Sequence, residues 1–204
     1  LHSGMGDYPE EKNKADWFNL GGFAKVQPYY CRNVEIYALR DDVKPFIRSY
    51  FNTIPTLLSL ENLSFWEHFH NTGGWNKTHE TGYFLVQTRL MLVQERGNEL
   101  WLAPFVTNNW LKDGMNLSVR NAPTFFGSAG FSIASHVNQG YIEAVIQVPT
   151  RRKPDQIVLR LRHPEGKPVR KVNIPNAAGI GIDAANECIR FTPEKDAITL
   201  RAEF

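Results

Sequence analysis

Cysteine is nearly absent. Cys31 and Cys188 are the only two in 204 residues, too few and too far apart for a disulfide framework or a cysteine-based metal site. No apolar run approaches the ~20 residues a membrane span requires, so no membrane partner is expected. Excess charge is also missing: 23 basic against 21 acidic side chains leave +2. There is no basic stripe interleaved with aromatics, which argues against nucleic acid as a partner. The basic clusters Arg151-Arg152-Lys153 and Arg160 to Arg162 read as solvated faces. No secretory signal is visible, but the chain opens on Leu1 rather than Met. The true N-terminus reads as missing, which leaves export undecided. No internal repeat or low-complexity tract occurs.

The first part of the chain reads as helical. Residues 1–28 are irregular, with apolar islands at Trp17-Phe18 and Phe23. Tyr29 to Leu39 predicts a helix apolar on most of its circumference, which implies burial in a larger body. Arg40-Asp41-Asp42 breaks it. Val43, Phe46, Ile47, Tyr50, Phe51 and Ile54 then follow the i, i+3, i+4, i+7 rule of an amphipathic helix. Asp41 or Asp42 is suited to cap it, Pro45 fits its first turn, and Pro55 is expected to kink or end it. Two helices joined by a short polar turn predict a hairpin. A further helix is expected from about His79 to Glu95, capped by Thr78, stopped by Gly97 and again buried on most faces.

Beyond residue 97 the pattern changes to short alternating runs separated by Gly, Pro and Asn turns. Glu99–Ala103, Leu117–Arg120, Phe131–Ser135, Tyr141–Val148, Ile157–Arg162, Val169–Ile174, Cys188–Phe191 and Ala197–Ala202 read as eight strands. Strands at this spacing predict an antiparallel sandwich. The fold class is therefore α+β, with helical hairpins over residues 1–97 and a β-sandwich over residues 98–204.

Chemistry-bearing residues concentrate between Phe65 and Phe84. This stretch holds Glu67 and Glu80, His68, His70 and His79, Lys77, Trp66 and Trp75, and the Gly73-Gly74 break. Three further features are familiar in combination: Phe65-Trp66-Glu67-His68, Gly74-Trp75-Asn76-Lys77-Thr78-His79-Glu80, and Glu99-Leu100-Trp101-Leu102-Ala103-Pro104. Together with Trp110–Gly114, Val119–Gly127 and Leu159–Pro164 they resemble the C-terminal part of bacterial six-hairpin, (α/α)6-toroid glycoside-hydrolase-like proteins. The resemblance spans most of residues 15–204. It implies that the helices close the end of a toroid whose remainder is missing from this chain, that a sandwich follows, and that an oligo- or polysaccharide is the substrate. That substrate class favours a periplasmic or secreted location.

Glycoside hydrolysis needs two carboxyl groups, ~5–5.5 Å apart in retaining enzymes and ~6.5–9.5 Å apart in inverting ones. Glu67 and Glu80 flank the Gly-Gly loop and are the leading catalytic candidates, with His79 beside them. Trp66 is placed to stack on a sugar or to desolvate Glu67. Glu35 is a third carboxylate candidate, and Asp16 beside Trp17 a weaker one. Trp17, Gln27, Tyr29, Glu35, Trp66, His68, Trp75, Asn76, Lys77 and Tyr83 are the candidate substrate-binding residues. Each also has a plainer reading as a packed aromatic, a helix-terminal carboxylate favoured by the dipole, or a hydrogen-bonded core histidine. His68, His70 and His79 lack the spacing of a helical zinc motif, so neither a metal nor any other cofactor is expected. A polysaccharide lyase is the alternative enzyme. There His79 and Tyr83 transfer protons, Asn76 and Lys77 neutralise a sugar carboxylate, and Tyr29, Tyr30 and Arg32 extend the site. A carbohydrate-binding or structural remnant, with Trp66, Trp75, Trp17 and Tyr29 as an aromatic platform, is the non-enzymatic reading.

Overall fold

A computed structural model describes residues 32–65 and 78–204. The chain divides into two compact units, Leu1–Leu90 and Met91–Phe204.

The described residues of the first unit form α1 (Asn33–Arg40), α2 (Val43–Leu57) and most of α3 (Thr78–Leu92). Asp41 ends α1 in the left-handed conformation at φ 60°, its N–H directed to the Ala38 carbonyl at 3.3 Å. The Asp42 N–H bonds the Tyr37 carbonyl at 2.9 Å, so the polar turn consumes two carbonyls that the helix end would leave orphaned. On α2 the expected apolar stripe carries buried Phe46 and Tyr50. Tyr50 centres an aromatic cluster, stacked on Phe46 at 6.2 Å and Phe84 at 6.1 Å and edge-on to Phe51 at 5.0 Å. Its hydroxyl pairs with Thr88 Oγ1 at 2.7 Å.

The second unit contains ten strands in two five-stranded sheets. The first sheet has the order β1 (Val93–Arg96), β2 (Glu99–Leu102), β6 (Gln156–Arg160), β9 (Cys188–Pro193), β8 (Ala177–Asp183). The second has the order β3 (Asn116–Thr124), β4 (Gly127–His136), β5 (Tyr141–Gln147), β10 (Ala197–Glu203), β7 (Lys171–Asn173). Alternation explains the layering. Leu100, Leu102, Ile157, Leu159, Ile189 and Phe191 from the first sheet meet Phe131, Ile133, Ile142, Ala144, Ile146, Ile198 and Leu200 from the second in one buried core. Each such side chain contributes about 1.5–3 kcal/mol relative to exposure.

The structure corrects several expectations. The end of an (α/α)6 toroid is not present: the described residues contain three α-helices, of which α1 and α2 pack together. α3 runs into strand β1 instead of turning back into another hairpin, so the described residues form no ring of helical hairpins. α1 and α3 are not apolar cylinders sunk in a bundle, since Leu39 is 89% and Leu85 61% exposed. α2 continues through Pro55 to Leu57. α3 stops at Leu92 because residues 93–96 pair with β2, from Val93↔Leu102 to Arg96↔Glu99, and Gly97 at φ 61° makes the hairpin turn. Ladder pairing there overrides a sequence that is also compatible with helix. The sheets are not wholly antiparallel, for β2 and β6 run parallel. β1 and β8 were not expected, β8 because Gly179 and Gly181 disguise it.

Arg160 is not part of a solvated face either; it is 1% exposed. Its Nη1 donates to the Pro104 carbonyl at 2.7 Å and its Nε to the Asn186 carbonyl at 3.0 Å. Alternation does turn Arg160 away from the sandwich core. There, however, it lies beside Trp101, at 5.5 Å from the ring centroid, and Trp101 is also approached by Arg96 at 3.7 Å and Arg190 at 5.1 Å.

Candidate functional site

Of the predicted site residues, Trp17, Gln27, Tyr29, Trp66, Glu67, His68, Trp75, Asn76 and Lys77 lie outside the described residues, as do Asp16, Tyr30 and His70. The remaining four, Glu35, His79, Glu80 and Tyr83, fall within one chain of contacts in the helical unit, completed by Arg32. Tyr83 lies in the second turn of α3, whereas Arg32 and Glu35 lie at the start of α1 and His79 and Glu80 in the first turn of α3. Carboxylates are favoured there because helix N-termini carry partial positive charge, and Glu35 and Glu80 occupy those turns.

Glu80 is 0% exposed, and its Oε1 lies 2.9 Å from Nε2 of His79, whose side chain is 45% exposed. Adjacent helical residues do not ordinarily face one another, and the approach has the distance of an ion pair without good hydrogen-bond alignment. The Tyr83 ring stands edge-on to the His79 ring at 6.3 Å between centroids. The Arg32 guanidinium sits 5.0 Å from the centre of the Tyr83 ring, and its Nη2 reaches Glu35 Oε2 at 3.4 Å.

This arrangement has definite chemical capacities. It sets a half-exposed imidazole, a group able to take up or give a proton, against a buried carboxylate. Glu80 is buried beneath it and in a position to stabilise the imidazolium that proton uptake creates. The Arg32–Glu35 pair is long and outward-facing, with Arg32 65% exposed. Exposed pairs of this kind contribute about 0–1 kcal/mol, so an incoming anion can readily compete for the guanidinium. Glu35 Oε1 is buried with no hydrogen-bond partner. Among the described residues no group of three or more His, Cys, Asp or Glu side chains is placed to hold a metal ion. No helix among them is long and apolar enough to cross a membrane.

The histidines of the sandwich are engaged within the fold. His163 is buried; its Nδ1 accepts the Glu165 N–H at 3.0 Å and its ring packs on Phe204 at 4.9 Å. Burial, reinforced by Lys167, holds the His163 pKa below that of an ordinary histidine. His136 packs its ring on Tyr141 at 4.9 Å.

No family model matches the chain, and no curated protein matches it.

Proposed function

We propose that the helical unit carries part of the acid/base site of a carbohydrate-active enzyme, and that the reaction is β-elimination on an acidic polysaccharide. The observation that carries this reading is the exposed imidazole of His79 backed by the wholly buried Glu80 carboxylate. Burial keeps Glu80 from reaching a sugar, which favours an orienting role over the hydrolytic role that its sequence position suggests. In the elimination, the His79 imidazole takes the C5 proton of a uronate residue. The C5 electron pair forms the C4–C5 double bond as the C4–O4 bond breaks, and the Tyr83 hydroxyl protonates the departing oxygen. Arg32 neutralises the substrate carboxylate, on which charge accumulates when C5 loses its proton. General base catalysis of this kind contributes about 10²–10⁴-fold.

The test is turnover of a panel of acidic and neutral polysaccharides, read both as unsaturated-uronate absorbance and as reducing ends. Unsaturated product that falls about 10²–10⁴-fold in His79→Ala, with an unchanged circular-dichroism spectrum, is expected. Reducing ends without the unsaturated chromophore would overturn elimination and return the assignment to a glycoside hydrolase, with Glu67→Gln the next variant. Sugar binding without either product would leave a carbohydrate-binding module.

A further inference from the structure

The second sheet has a depression on the face turned away from the shared core, with a volume of about 240 Å³. Its residues come from three neighbouring strands: Ser118 and Arg120 on β3, Gly130 and Ser132 on β4, and Val145 and Gln147 on β5. Two features of the chain make the depression. Gly130 is buried at its floor, where a Cβ would lie 3.2 Å from the Val119 carbonyl oxygen and 3.3 Å from Gln147 Oε1. A glycine inside a strand marks close approach of another group. Beside it the β3–β4 register shifts between Val119 and Ala122, with Asn121 at φ 53°. Bulges re-aim side chains and are over-represented next to binding and catalytic sites, and this one falls at Arg120.

The rim is chemically uncommitted. Among the described residues, the side chains of Ser118, Arg120, Ser132 and Gln147 form no hydrogen bond or ion pair within the protein. Elsewhere on the same face charges are paired: Glu143, two residues along β5 from Val145, is held by Arg201 at 3.7 Å. A planar cation, a carboxamide and two hydroxyls therefore converge on a small depression whose wall includes the exposed Val145. The volume is below the ~300–1,000 Å³ of drug-sized sites, which is room for one sugar ring and not for a buried chain. An arginine fork matches a carboxylate or sulfate geometrically.

We infer that this depression is a binding subsite for one acidic sugar residue of a polysaccharide. Arg120 holds the anionic group, Gln147, Ser118 and Ser132 hold hydroxyls, and the apolar face of the ring lies against Val145. The class of ligand rests on the function proposed above; the site itself lies wholly in the sandwich unit and does not use His79.

The experiment is calorimetric titration of the whole chain with a galacturonic acid trisaccharide, a sulfated disaccharide and a neutral cello-trisaccharide, in parallel with the turnover assay. Saturable binding of one anionic probe is expected, weakened about ten- to hundredfold in Arg120→Ala, the loss corresponding to a charge-assisted hydrogen bond. Weakening is also expected in Gln147→Ala, and in Gly130→Ala, which fills the floor. Arg120 and Gln147 make no contacts that folding needs, so their variants should melt as the parent does, which keeps the test open if Gly130→Ala misfolds. The carboxylate and sulfate probes decide which anion is preferred. Anionic binding indifferent to Arg120→Ala and Gln147→Ala, preference for the neutral sugar, or no binding by any probe overturns the subsite. Intact groove binding in a chain without turnover rejects the proposed reaction alone. Turnover without Arg120-dependent binding rejects the subsite alone.

Discussion

Removing the Arg160 guanidinium tests whether the outer face of the first sheet is organised by a buried cation. Two hydrogen bonds from a charged donor, at 2.7 Å to Pro104 and 3.0 Å to Asn186, each contribute about 1.5–3 kcal/mol net. The desolvated contact with Trp101 adds up to about 2 kcal/mol. Against these stands the cost of taking the guanidinium out of water, several kcal/mol. Arg160→Ala removes the cation, strands the buried Pro104 carbonyl and opens a void, while the Asn186 carbonyl keeps the Cys188 thiol at 3.1 Å, so a loss of about 3–5 kcal/mol is expected. Arg160→Met retains most of the stem volume while removing the charge and its desolvation cost, and should lose about half as much. Urea unfolding of the whole chain, followed by circular dichroism in the strand region, reads both as midpoint shifts at constant m. An alanine variant within about 1 kcal/mol of the parent would refute the reasoning, because the stranded Pro104 carbonyl and the void together exceed that.

Gly127 holds φ 117°, and a Cβ there would sit 3.0 Å from Arg151 Cβ. Gly127→Ala should therefore lower stability by about 1–3 kcal/mol, measurable as a melting-temperature shift, whereas a neutral variant would mean that the hairpin relaxes. Tyr50→Phe should remove about 1 kcal/mol with the loss of the 2.7 Å bond to Thr88. The loss stays modest because Thr88 retains its own bond to the Phe84 carbonyl. The depressed His163 pKa makes a signed prediction. Its contribution is complete above the unfolded value of about 6.5 and declines as pH falls from there to the lower folded value. The stability difference between the parent and His163→Gln should shrink from pH 7.5 to pH 5.5; a difference that grows on acidification would reverse the sign.

Hairpin and core residues were legible where the local pattern and the final contacts agree. Val43 to Ile54 announces α2 because its apolar period matches one buried stripe; the polar break at residues 40–42 marks the turn, but the expected side-chain cap is not made, since Asp42 at the N-cap of α2 forms no capping bond and Asp41 instead ends α1. Tyr141 to Gln147 alternates, and does so because one face of β5 meets the core. Helix starts favour carboxylates, which explains the positions of Glu35 and Glu80, whereas their link through Arg32, Tyr83 and His79 depends on how α1 and α3 pack.

The misread elements share a physical cause: their conformation is set by partners distant in sequence. Residues 93–96 become a strand only because β2 is there to pair with them, and β8 is held by β9 despite two glycines. Arg160 is the sharpest case. Alternation in Ile157-Val158-Leu159-Arg160 correctly turns the arginine away from the core, but burial on that side depends on Trp101, Phe105 and carbonyls 56 and 26 residues away. The depression on the second sheet had no sign in the sequence reading, because it needs Gly130, the β3 bulge and the Gln147 side chain brought together from three strands. The amino-acid sequence by itself determined the helical and strand-forming character of the two parts, their core-facing periodicities and the supply of acid/base side chains. The tertiary structure decided which strands pair and in which direction and which charges are buried, Glu80 and Arg160 among them, since these depend on non-local contacts that no short window of residues encodes.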